Sequence, residues 1–189
     1  MKKQLLFLLV LCLSTVLNAQ EKYTATQFPN DWAGYFAGKM YIANPGQGLV
    51  DSLDVSLDMQ LAEDEQMLSY TMTYDNETYG LMVKDYQYVL SDTLPKNNFW
   101  MDEKNGIMIQ EALIGNSIYS HFEVAGSTIT LCMRLGDDYI DFDLVSYRED
   151  MGHKSKSIAE TEGDQEFEVH SIPAVVSQFA RMYKADKPE

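Results

Sequence analysis

Apolar and polar residues alternate with a period of two over most of the chain from Trp32 to Arg148. The clearest stretch is VDSLDVSLDMQL, residues 50–61, in which Leu53, Val55, Leu57, Met59 and Leu61 point one way and Ser52, Asp54, Ser56, Asp58 and Gln60 the other. Successive side chains of a strand face opposite sides, so this spacing predicts a half-buried strand, whereas a helix would scatter the five apolar groups around its circumference. The same alternation places strands at 32–42, 49–61, 67–74, 79–90, 98–102, 107–114, 117–124, 128–135 and 139–148. Between them stand NPGQG, AEDEQ, DNE, SDTLPK, EKNG, GN, AGS and GDD, rich in residues that supply positive φ or local side-chain turns.

Connections this short make consecutive strands antiparallel neighbours. The resulting meander has two exposed edges unless it closes, and the Greek-key crossovers of a two-sheet sandwich need longer connections. The expected fold is therefore all-β, an up-and-down antiparallel barrel of about 8–10 strands over residues 31–148. Residues 149–166, EDMGHKSKSIAETEGDQE, lose the periodicity and read as a solvated charged loop. In 167–189, FEVHSI reads as one more short strand, and PAVVSQFARMYK as a C-terminal helix packed on the barrel wall. Its Val175, Val176, Phe179, Met182 and Tyr183 recur at helical spacing behind Pro173, a residue suited to a first helical turn.

Two-residue turns fix the expected registers. Gly115-Asn116 pairs Leu113 with Ile118, Glu111 with Ser120, Ile109 with Phe122 and Ile107 with Val124 on one face, and Ala112 with Tyr119, Gln110 with His121 and Met108 with Glu123 on the other. Asp137-Asp138 pairs Leu135 with Ile140, Met133 with Phe142 and Leu131 with Leu144, while Arg134 faces Asp141 and Cys132 faces Asp143. Apolar meets apolar and charge meets opposite charge, as a correct register requires.

The chain has 189 residues and a formal net charge of −15. Residues 1–19, MKKQLLFLLVLCLSTVLNA, join a lysine pair to an apolar run ending in a small residue. This is the plan of a cleaved signal peptide, and the run from Leu5 to Val16 is shorter than the roughly 20 residues of a membrane span. The expectation is a secreted or periplasmic protein whose mature chain begins with a lead at 20–30; a lipoprotein signal is disfavoured because Leu11 precedes Cys12 where a small residue belongs. The acidity argues against nucleic acid as a partner, since phosphate binding depends on Lys and Arg. Cys132 alone survives cleavage, so no internal disulfide can form and stability must come from the core.

The segment NDWAGYFAGKMYI, with a tryptophan and spaced glycines on the first strand, and a meander ending at Ser146-Tyr147-Arg148, resemble the lipocalin and wider calycin barrels. The chain is similar to secreted lipocalin-like proteins of Gram-negative bacteria. The resemblance implies that Trp32 packs beneath the barrel floor with Arg148 lying over its indole, and that the barrel holds a small apolar ligand. It covers most of the mature chain in layout and few residues in motif, and here the order is Trp32-Ala33-Gly34 where lipocalins read Gly-x-Trp.

Against this layout Glu111 stands out, a carboxylate whose same-face neighbours Ile109 and Leu113 are apolar. With Ser120 it is a candidate polar anchor for a ligand, and Tyr70, Tyr88 and Trp100 are candidate aromatic lining with apolar bodies and polar tips. His121 and Glu123 have the opposite parity and belong outside. Asp141 and Asp143 in GDDYIDFD alternate with Ile140, Phe142 and Leu144, the pattern of a solvent face rather than a calcium loop, and the three histidines lack zinc spacing. No nucleophile elbow, Walker loop or dinucleotide fingerprint appears, so no catalytic residue, metal or cofactor is assigned. The sequence thus points to a binding protein for a small apolar or amphipathic molecule; a packed barrel that serves protein interaction and a barrel lyase or isomerase are the alternatives, and oligomeric state is left open.

Overall fold

The computed structural model describes residues 27–63, 67–78, 80–157 and 166–188. The strands are β1 Gly34–Asn44, β2 Gly48–Leu61, β3 Met67–Asn76, β4 Gly80–Leu90, β5 Asn98–Asp102, β6 Met108–Ile114, β7 Ser117–Val124, β8 Ser127–Leu135, β9 Tyr139–Tyr147, β10 His153–Lys156, β11 Glu168–Ser171 and β12 Ala174–Lys184. Ten of them close an antiparallel barrel in the order β1-β12-β9-β8-β7-β6-β5-β4-β3-β2. The expected export signal and residues 158–165 of the charged loop lie outside the described residues. The beginning of that loop is not all coil: His153–Lys156 pairs with Glu168–Ser171 as a separate two-stranded sheet.

Alternation works as the sequence reading expects. Leu53, Val55, Leu57 and Met59 of β2 are buried, and the Asp137-Asp138 hairpin pairs Leu135 with Ile140, Met133 with Phe142 and Arg134 with Asp141. The interior is one continuous apolar cluster contributed by all ten barrel strands and by Trp32. Beneath it, Phe28 stacks on Phe99 with centroids 4.4 Å apart and meets Trp32 and Tyr88 edge-on at 6.1 and 5.7 Å. These rings form the floor.

Two expectations are corrected. The first is the C-terminal helix: Ala174–Lys184 is strand β12, inserted between β9 and β1, and it shuts the barrel. Ala180 and Met182 turn inward, while Phe179 and Tyr183 lie outside, where Phe179 stacks on Tyr41 at 5.4 Å. A register shift at Ala174/Val176 changes the phase of the two valines. Outward aromatics and a bulge together imitate a helical stripe, and the backbone groups of two otherwise open edges decide for a strand.

The second concerns the Gly115-Asn116 hairpin. Ile114 pairs with Ser117, Leu113 with Ile118 and Ala112 with Tyr119, and there the ladder ends. From Glu111 downward β6 pairs only with β5, and from Ser120 onward β7 pairs only with β8. The two strands part, and the expected Glu111–Ser120, Gln110–His121, Ile109–Phe122, Met108–Glu123 and Ile107–Val124 pairs do not form.

Candidate functional site

Glu111 is inward-facing on β6 between Ile109 and Leu113, and only 2% of its surface is exposed. Tyr88 from β4 and Ser120 from β7 come close enough for their hydroxyls to favour its charged form, yet none of the three makes a hydrogen bond of sound geometry: Glu111 Oε2, Tyr88 Oη and Ser120 Oγ are buried and unpartnered. Removal from water dominates, pushing the carboxyl from the usual 4.5 up to about 7. Burial, and after it the Glu111 charge, likewise holds the Tyr88 phenol well above its ordinary value. Tyr70 is held up by burial first, then by Tyr74 and Glu111.

These groups border a partly open cavity of about 110 Å³ inside the barrel. Tyr70, Tyr74, Tyr86, Met101, Phe122 and Phe142 supply the apolar part of its wall, and Glu103 with Glu111 the acidic part. Tyr70 stacks on Tyr88 and tilts against Tyr86, while its hydroxyl and that of Tyr74 both donate to the Met72 sulfur, at 3.5 and 3.0 Å. Toward the open end Tyr74 also lines a wider cup of about 320 Å³ formed by Met40, Ile42, Leu53 and Met82 with Asp51 and Lys84 at its rim. The cup has the volume and apolar character of a small-molecule site; the inner cavity alone is smaller than such sites usually are.

Glu111, Ser120, Tyr70 and Tyr88 are therefore gathered around one space. Trp100 is not: its strand turns Phe99 and Met101 inward, so Trp100 has the outward parity and pairs with Val89 and Gln110. Trp32 sits fully buried at the floor, its Nε1 unpartnered. The cation expected over it is elsewhere: Arg148 forms a bidentate pair with Asp150 at the surface, 2.6 Å at the shorter contact. The cation–π contact among the described residues is Arg181 over Tyr139, 4.1 Å from the centroid. Phe28, Met101 and Phe122 were not singled out from the sequence; parity within their strands was the available signal for the last two, and for Phe28 there was none.

Outside, Asp141 accepts from Arg181 Nε and Nη2 at 2.7 and 2.8 Å, and Cys132 lies opposite Asp143. Asp143 is itself shifted up by partial burial.

No protein-family model and no curated protein matches the sequence. Solved structures do resemble the fold. The S-type phycobiliprotein lyase of Guillardia theta superposes with a TM-score of 0.55 at 7% identity, covering 84% of this chain and 91% of that one. A protein of unknown function from the DUF3598 family of Nostoc punctiforme gives 0.53 at 12% identity, over 82% of this chain and 48% of that one, so the present chain spans about half its length. At these identities the likeness shows a shared architecture, the closed lipocalin-like antiparallel barrel.

Proposed function

We propose that the barrel binds a small apolar or amphipathic molecule, its polar group against Glu111, Ser120 and Tyr88 and its apolar part among Tyr70 and the neighbouring rings toward the mouth cup. The observation that carries this reading is the convergence of three buried, unpartnered polar atoms on one cavity. A polar group out of water and without a partner costs about 1–3 kcal/mol, a penalty that a guest with matching donors removes. The likeness to a phycobiliprotein lyase is compatible with a small-molecule guest. We also read residues 1–19 as an export signal and the mature protein as secreted or periplasmic, to be checked by N-terminal sequencing of the protein from its native host.

The test is native mass spectrometry of the protein purified without denaturation, with thermal shifts against a panel of short amphiphiles. A co-purifying molecule, or stabilisation by a panel member that is lost in Glu111→Gln, is the expected result; a chain that carries nothing and responds to nothing overturns the reading. A lyase or isomerase is the second reading, favoured by a buried carboxyl poised near neutral pH. It predicts that the bound molecule is chemically altered on incubation with wild type and unaltered with Glu111→Gln.

A further inference from the structure

The parting of β6 and β7 lies at Glu111 and Ser120. Both residues border the inner cavity, and both also border a cleft on the outer surface of the barrel. The polar side chains flanking that cleft bond away from the gap: Gln110 Nε2 donates to Asn98 Oδ1 on β5 at 3.2 Å, and His121 Nδ1 shares a proton with Thr130 Oγ1 on β8 at 2.9 Å. No ladder pair crosses beyond Ala112 and Tyr119. Two side chains, one of them as small as serine, thus stand between the cavity and the outer cleft at a place where the wall has no β6–β7 ladder bonds to break.

The lining itself is acidic. Among the described residues the linings of the cavity and of the cleft contain no lysine or arginine, while Glu103 and Glu111 are acidic and the remaining polar groups are hydroxyls, amides and His121. Arg134, on the same outer face, donates through Nε to Ser117 Oγ at 3.2 Å and lies against the Tyr119 hydroxyl at the edge of the cleft, about a strand pair away from Glu111 and Ser120. A carboxylate oxygen without a donor, beside two hydroxyls that can accept, suits a group with several N–H donors and a positive charge.

We propose that the β6–β7 gap is a side entrance through which a small primary ammonium compound enters alkyl end first, leaving its ammonium in the wall against Glu111 and Ser120. The proposal rests on the reading that the Glu111 cavity binds a ligand. The alkyl chain lies among Tyr70, Tyr86, Phe122 and Phe142, and the small cavity selects a short one. The gap can open by side-chain rotation alone, since no strand pairing is lost.

The probe is n-butylammonium, with n-butanol as its uncharged counterpart, followed by NMR on the full-length protein. Expected are shifts at Glu111, Ser120 and Tyr88 with the ammonium, little response to the alcohol, and loss of the ammonium response in Glu111→Gln. Gln110→Cys/His121→Cys in a Cys12→Ser/Cys132→Ser background, bridged by a bis-methanethiosulfonate reagent that spans the gap, ties it shut; ligand exchange should then slow about tenfold or more while reduction of the bridge restores it. Gln110→Trp, a change at an exposed position that covers the cleft, should slow exchange in the same direction without a cross-link. Unchanged exchange in both variants overturns the side entrance and leaves entry through the mouth. Binding of amphiphiles other than amines, with none of the ammonium, overturns the ligand class and spares the binding reading; no binding of any kind removes both.

Discussion

The ring of Tyr70 lies flat against that of Tyr88, centroids 5.4 Å apart and planes 6° from parallel, and both rings line the cavity that holds Glu111. The stack fixes the Tyr88 ring, and with it a hydroxyl that has no partner of its own. Apolar contact and polar chemistry are therefore separable in one side chain. Tyr88→Phe keeps the stack and the edge-on contacts with Phe28 and Phe99 while deleting the buried hydroxyl. Removing an unsatisfied polar atom should leave stability unchanged or raise it by about 1 kcal/mol. The loss of a group that favours the Glu111 charge should move that carboxyl above about 7. Urea denaturation and a 13C-detected titration of the glutamate check the two halves.

Glu111 also sets the direction of the pH dependence. Its carboxyl is shifted up in the folded barrel to about 7, first by burial, whereas the unfolded chain titrates near 4.5. Between these values the unfolded state has released the proton and the native state still holds it, so the native state binds more protons and stability falls as pH rises. Below the lower value the penalty is absent; above the upper it is complete, at roughly 3 kcal/mol as an upper bound. Facing this carboxyl are Ser120 and the phenols of Tyr70 and Tyr88, Glu103 lines the same cavity, and among the described residues the lining carries no cation to offset it. Glu111→Gln should flatten the slope between pH 4.5 and 7 and equal or exceed wild-type stability at pH 7.5. Chemical denaturation across that range decides it, with a parallel slope in both proteins as the contrary result.

The floor gives a prediction free of titration. Trp32 is fully buried and meets Phe28 edge-on, but its indole N–H is unpartnered. The tryptophan therefore contributes through its surface and not through a hydrogen bond. Trp32→Ala should cost about 3–5 kcal/mol, as other large buried aromatic deletions do. Trp32→Phe should cost much less, since the lost N–H donates to nothing, and Arg148→Ala should leave the floor unchanged because Arg148 is paired with Asp150. Thermal unfolding of the three variants orders these effects.

Most of the barrel could be read from alternation because strands such as β2, β3 and β6 bury one face and leave the other wetter. The β8–β9 register came out residue for residue on that signal, and so did the inward direction of Glu111 and Ser120 and of β2 from Leu53 to Met59, while Leu61 at the end of β2 is exposed. The signal fails where inside and outside are chemically alike. β12 turns Gln178 inward and Phe179 and Tyr183 outward, so polarity no longer marks its faces. The parting of β6 from β7 leaves no trace in composition, since both strands keep their phase when the backbone separates. Trp100 was assigned to the lining by its chemistry, although Phe99 and Met101 on either side already gave its parity.

Closure of the barrel by β12 makes the β1 seam sensitive to a single methyl group. Gly38 pairs with Met182 on one side and Val55 on the other, and a Cβ there would run into the Arg181 carbonyl, with the Met182 Cα also in the way. Neither obstacle is the end of a flexible side chain, so the backbone of β12 must move. On its far side β12 is held to β9 by the Arg181–Asp141 pair and by Arg181 over Tyr139, which leaves the β1 seam as the part that yields. Gly38→Ala should cost about 1–3 kcal/mol, the range for overpacked sites, and should expose the paired edges of β1 and β12. Gly46→Ala is the control, because its added Cβ meets nothing nearer than Asn44 Oδ1 at 3.8 Å. Size-exclusion chromatography on warming should show Gly38→Ala forming higher oligomers well before the control, whereas equal behaviour of the two would mean that β12 does not close the barrel against β1.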